Sequence, residues 1–151
     1  MSKRILMAGA AGLTLALTAA LAHASDSAVK YTVSGNAIPQ SLTGTPGDPK
    51  KGRALAIASK KGNCLACHMM PIPEEDDHGQ IAPPLYGVAN RMSVPEMRLR
   101  LVDPKVINPT TAMPSFYKIE GLHRVLKKFQ GKTILTAQEV EDVVAYLSTL
   151  K

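Results

Sequence analysis

The longest apolar run of the chain comes first. Ile5 to Leu21 is apolar or small throughout, behind the cations Lys3 and Arg4, and ends at Ala22-His23-Ala24 before polar Ser25-Asp26-Ser27. A positive start, an apolar middle and a small-x-small close form the pattern of a secretory signal peptide over 1–24, removed after Ala24. An uncleaved membrane anchor shares the apolar run, but this one is rich in Ala, Gly and Thr and breaks abruptly into polar residues. Residues 25–47 lack helical periodicity and are rich in Ser, Thr and Gly, with Pro39 and Pro46 as breakers. They predict an extended N-terminal arm whose Val29, Tyr31, Val33, Ile38 and Leu42 are spaced to lie along a surface; a disordered leader has the same composition.

Helical patterning begins at Asp48. Asp48-Pro49 is an N-cap followed by proline at the first helical position, and predicts a helix to about Lys61. A proline-rich, acidic loop follows from Pro71 to Pro84. Ser93-Val94-Pro95-Glu96 has capping-box form and opens a short helix with Met97, Leu99, Leu101 and Val102, ended by Asp103-Pro104. Leu122, Val125, Leu126 and Phe129 have the spacing of one or two amphipathic turns. Thr136-Ala137-Gln138-Glu139 is a second capping box, ahead of the stripe Val140, Val143, Val144 and Leu147. With no repeat and no strand-rich stretch, 48–151 reads as one small all-α domain with long loops. No segment after the leader is long and apolar enough to span a bilayer.

Composition changes this picture in one respect. Aromatic residues make up only 4% of the 151 and Trp is absent, which is thin filling for a core. The net charge is +6, of which Lys3 and Arg4 supply two. The cations are scattered and no recognition motif accompanies them, so nucleic acid is not indicated; a mildly basic docking face is.

The chemistry sits in Cys64-Leu65-Ala66-Cys67-His68. C-x-x-C-H is the attachment sequence of a c-type haem: two thioethers to the porphyrin and a proximal imidazole to the iron. The pattern also admits a redox dithiol or half of a zinc site, but there is no third cysteine for zinc and no strand-to-helix setting with aromatic neighbours for a dithiol. A buried porphyrin would supply the apolar area that the core lacks. The sixth iron position decides between electron transfer and catalysis. Met113 is the candidate, in the irregular segment Asn108-Pro109-Thr110-Thr111-Ala112-Met113-Pro114. Met69 and Met70 adjoin His68, Met92 and Met97 fit core positions, and His78 and His123 are rival ligands among charged neighbours. If Met113 were merely structural, an open iron would make the protein a haem enzyme or gas binder.

Taken in order, Cys64–His68, Pro83-Pro84-Leu85-Tyr86-Gly87 with Arg91, Met113-Pro114 and a last helix bearing Tyr146-Leu147 resemble the class I cytochromes c over about 48–151. The resemblance implies an all-α class I cytochrome c-like domain around one covalently bound haem c, ligated by His68 and Met113. It implies that the Pro83 carbonyl orients His68, that Arg91 bonds a haem propionate, and that Gly52 lets the first helix approach the last near Tyr146. Ala82 stands where the family has glycine, and about 117–135 is longer than in a minimal member.

The arm motif Val33-Ser34-Gly35-Asn36-Ala37-Ile38, the run Pro46-Gly47-Asp48-Pro49-Lys50-Lys51-Gly52-Arg53, Asn108-Pro109-Thr110, and Glu141-Asp142-Val143-Val144-Ala145-Tyr146-Leu147 are similar to the SoxX family of monohaem cytochromes. That resemblance implies a periplasmic electron-transfer subunit of a heterodimeric L-cysteine S-thiosulfotransferase. A SoxA-like cytochrome partner joins thiosulfate to a cysteine of the carrier SoxY, and electrons leave singly to a downstream cytochrome c. A free-standing class I electron shuttle is the alternative. The arm and 117–135 are the segments expected to touch the larger subunit. Glu74-Glu75-Asp76-Asp77 lacks the alternation and glycine of a calcium loop and reads as solvated.

Overall fold

Three helices carry the architecture of the computed structural model, which describes residues 28–151: α1 (Pro49–Ile57), α2 (Val94–Val102) and α3 (Ala137–Leu147). The leader over 1–24 lies outside the described residues. Single 3₁₀ turns stand at Cys64–Ala66, Val88–Asn90, Pro104–Val106 and Lys127–Phe129. Among the described residues the only bridge pairing is the isolated turn Ser34–Ala37, so the fold is all-α.

Asp48 caps α1, its carboxylate accepting the N–H groups of Lys50 at 2.8 Å and Lys51 at 3.3 Å. The helix ends at Ile57, four residues short of the expected Lys61. Ala58 turns extended (ψ 110°), its carbonyl takes the N–H groups of Lys61 and Asn63, and the Gly62 N–H returns to Leu55 O at 3.1 Å. The reverse turn delivers the chain to Cys64. In α2 the Glu96 carboxylate accepts both the N–H and the hydroxyl of Ser93 at 2.7 Å, and the helix stops before Asp103-Pro104 as its pattern predicts.

Segment 121–130 is not the amphipathic helix its spacing suggests. Gly121 (φ +68°) and Arg124 (φ +56°) are left-handed, which a right-handed helix cannot accommodate, and only the Lys127–Phe129 turn remains. Leu126 is left 65% exposed.

α1 crosses α3 at Gly52. A methyl group there would overlap the Asp142 carbonyl and sit 2.9 Å from Tyr146 Cβ. Gly52→Ala is therefore expected to destabilise the holoprotein by roughly 1–3 kcal/mol, read as a lower denaturant midpoint. The core assembles from Leu99 and Val102 of α2 and Val140 and Val143 of α3, with Met70, Ile72, Val88 and Leu135 from the loops, all fully buried. Met97 joins them at 2% exposure, the filler role its position suggested.

Over 28–47 the arm packs against the helical domain. Ile38 and Leu42 are buried in the core while Val29 and Val33 stay exposed. Its backbone is tied to α3: Leu42 N–H donates to Glu141 Oε1 and Asp48 N–H to Asp142 Oδ1, both at 2.8 Å. Glu141 in turn holds Arg98 of α2, whose Nε and Nη2 donate to its two carboxylate oxygens at 2.8 and 3.0 Å. Arg98 Nη1 also donates to Ile38 O at 2.7 Å. Two helices and the arm thus meet at one buried ion pair.

Candidate functional site

Cys64, Cys67 and His68 stand on one tight turn. Asn63 enters it left-handed (φ +47°), the N–H groups of Cys67 and His68 both donate to Cys64 O (3.1 and 2.9 Å), and buried Leu65 anchors it to the core. Both thiols are unpaired and half-buried. Burial pushes the Cys64 thiol up to about 11, so this sulfur is a poor nucleophile at neutral pH. Among the described residues no three His, Cys, Asp or Glu side chains converge on a metal, so the zinc reading has no ligand set.

A second loop lies along this turn. Gly79 N–H donates to Leu65 O at 2.7 Å, Ala82 N–H to Cys67 O at 3.0 Å, and Leu85 N–H to Met69 O at 2.9 Å. Gly79 is required there, since a side chain would strike the Ala66 carbonyl. The alignment places Pro83 O 2.7 Å from His68 Nδ1. With the Nδ1–H donated to that carbonyl, the Nε2 lone pair is left for a metal. Ala82 keeps an ordinary negative φ, so alanine suffices where the family has glycine. Arg91 braces the loop from outside, donating from Nη1 to Tyr86 O at 2.6 Å and from Nη2 to Pro84 O at 2.8 Å. Two of its five donors are thereby committed to the segment that carries Pro83.

Met113 is half-buried on an irregular segment fixed at both ends. Asn108 Oδ1 accepts from Thr110 N (3.1 Å) and Oγ1 (2.8 Å), Lys105 Nζ holds Thr111 O at 2.8 Å, and Phe116 N–H donates to Leu101 O at 2.9 Å. Ser115 and Lys118 both bond the buried carboxylate of Asp103. The other sulfurs are otherwise placed. Met70 and Met97 are in the core, Met92 Sδ accepts Arg100 Nε at 3.0 Å, and Met69 is half-buried beside His68. Of the rival imidazoles, His78 Nδ1 accepts the Met70 N–H at 3.3 Å, which ties it to the chain just after His68; its Nε2 is buried without a protein partner. His123 is exposed on the loop beyond Gly121.

The donor set fits a c-type haem. It offers two adjacent thiols, an imidazole oriented through its far nitrogen, and a soft thioether on a braced loop. The acidic loop is solvated except for Glu74, which pairs with Arg53 of α1. Gly79 and the Arg98–Glu141 pair had no part in the sequence reading.

Residues 49–151 match the family model described as cytochrome c. In three dimensions the chain is similar to a chain in the crystal structure of SoxXA from P. pantotrophus, with 39% identity and a TM-score of 0.74, covering 80% of this chain and 94% of that one. An uncharacterized lipoprotein of Aquifex aeolicus (strain VF5) is 30% identical over 132 residues, 79% of this chain. The chain spans 54% of that relative's length.

Proposed function

The chain belongs to the cytochrome c family and is of the SoxX type, and we propose that it is the electron-transfer subunit of a periplasmic thiosulfate-oxidising complex. Membership implies a covalent haem c, which when bound supplies a reversible one-electron couple. The observation that carries the reading is the His68 Nδ1–Pro83 O bond at 2.7 Å on the turn that also bears both cysteines.

The residues then divide the work. Cys64 and Cys67 would hold the cofactor by thioether bonds, which would leave no cysteine of this sequence as a thiol acceptor. His68 would hold the iron through Nε2, its ring and tautomer fixed by Pro83. Arg91 keeps Pro83 in place through Pro84 and Tyr86 and has remaining donors for a propionate. Met113 would supply the second, thioether ligand, and an iron held by both side chains would change charge without exchanging ligands and leave no open position for a substrate. Bond-making then belongs to a SoxA-like partner. There a SoxY cysteine thiol and thiosulfate join sulfur to sulfur, releasing one proton and two electrons. This subunit takes those electrons one at a time and passes them to a downstream cytochrome c.

Two experiments test this. Ferric holoprotein is expected to be low-spin and six-coordinate with a methionine–sulfur absorption band. Met113→Ala should abolish the band and lower the potential by a tenth or more of the roughly 0.8 V that axial ligands span. An unchanged spectrum would show that another group is the ligand. Native protein from thiosulfate-grown cells is expected to co-purify with a larger haem protein; elution alone at every concentration would favour a free-standing shuttle.

A further inference from the structure

Beyond Met113 the chain makes an excursion that closes on itself. The Phe116 carbonyl accepts the N–H groups of both Ile134 and Leu135 at 3.0 Å, and Phe116 and Leu135 are buried. Residues 117–133 therefore leave and return at one point, three residues from Met113. Between Gly121 and Lys132 the loop carries Arg124, Lys127, Lys128 and Lys132 and no acidic residue, its one acid being the exposed Glu120 just ahead of Gly121. The nearest acid after it, Glu139, is paired with Lys61. Among the described residues, the ion pairs involve Arg53, Lys61, Arg98 and Lys118, not these four cations.

The loop has a defined shape. Phe129 N–H donates to Leu126 O at 2.8 Å, Lys132 N–H to Phe129 O at 3.1 Å, and Gln130 Nε2 to Val125 O at 3.4 Å. Lys128 Nζ sits 4.7 Å from the Phe129 ring centroid. Leu126 stands 65% exposed between two cations on one side and Arg124 on the other. Four positive charges against the single acid Glu120 repel one another, and the bare leucine among them leaves apolar surface in water. A counter-charged protein face relieves both, and the charge field raises the rate of encounter.

We propose that the loop 117–133, instead of touching the larger subunit as its sequence suggested, is the docking face for an acidic electron-transfer protein, with Arg124, Lys127, Lys128 and Lys132 steering it and Leu126 making the apolar contact. The inference rests on the electron-transfer reading, because Phe116, where the loop closes, lies three residues from the candidate ligand Met113.

The test uses reduced, haem-loaded full chain and two oxidants. One is oxidised plastocyanin, a blue-copper protein with a strongly acidic face; the other is the cation tris(phenanthroline)cobalt(III). The loop variant Lys127→Glu/Lys128→Glu/Lys132→Glu is compared with Lys50→Glu/Lys51→Glu on α1, each first shown to keep the wild-type haem spectrum. For the loop variant the plastocyanin rate at low salt should fall by about tenfold or more and lose its salt dependence, with no loss of rate to the cobalt complex. For the α1 variant it should stay within about twofold. Leu126→Ala should slow plastocyanin about threefold at every salt concentration. Equal loss in both charge variants, or none in the loop variant, overturns the docking face. Wild-type binding to phosphatidylglycerol vesicles that the loop variant loses, with its plastocyanin rate intact, overturns it in favour of a lipid surface. Failure of wild type to reduce the cobalt complex overturns the electron-transfer reading itself.

Discussion

Alanine at both Cys64 and Cys67 will yield a polypeptide that surrenders all its pigment to acidified acetone, whereas the wild-type pigment stays with the protein. Each thioether needs its own sulfur, and the two sulfurs share one turn closed by bonds to the Cys64 carbonyl. His68 remains in the double variant and can still ligate iron, so loosely held haem will be present before extraction. The consequence for stability is large. The core holds few aromatic side chains, with aromatic residues at 4% of the chain, and reversible binding stabilises only as far as the free cofactor concentration exceeds its dissociation constant. Thermal unfolding of the double variant should therefore shift with added haem, while the wild-type transition should not. Single variants, each retaining one thioether, should still resist extraction. Pigment that survives extraction in the double variant would show that these cysteines are not the attachment points.

Glu141→Ala is expected to cost about 3–5 kcal/mol, a large part of the roughly 5–15 kcal/mol that holds a domain folded. The side chains of Arg98 and Glu141 are only 5% and 6% exposed, so deleting the acid strands a guanidinium in the interior. The same deletion removes the acceptor of Leu42 N–H, and the arm should lose hydrogen-exchange protection around Leu42. The double replacement Arg98→Met/Glu141→Leu should recover most of the loss, because the penalty comes from one unpaired charge rather than from absence of the bridge. For contrast, Lys61→Ala breaks a half-exposed pair with Glu139 and should cost less than about 1 kcal/mol. Denaturant midpoints of the holoproteins check all three, and a Glu141→Ala protein as stable as wild type would refute the assignment.

Local signals carried most of the fold into view. The caps at Asp48, Ser93 and Thr136 mark helix starts by side-chain chemistry within three residues, and each helix begins where its cap says. The candidate site stands out for a similar reason, since C-x-x-C-H concentrates its chemistry in five consecutive positions. The spacing of Leu122, Val125, Leu126 and Phe129 misleads because periodicity does not report backbone sign, and Arg124 at φ +56° breaks the helix without a proline to announce it. Arg98 and Glu141 escape because a charged residue next to an apolar stripe looks solvent-facing until a partner 43 positions away is brought beside it. Gly79 escapes likewise: it is needed because a distant carbonyl presses on it, and the residues around it carry no sign of that.

The arm's fastenings to α3 also set the order in which the molecule can close. Leu42 waits for a carboxylate 99 positions further on, and Asp48 for one 94 positions away. No bond of this kind can form on a nascent chain until Glu141 and Asp142 have been added. Topology of such long sequence separation slows folding. A chain in that interval would present the Cys64 and Cys67 sulfurs, half-buried once folded, to whatever attaches a haem.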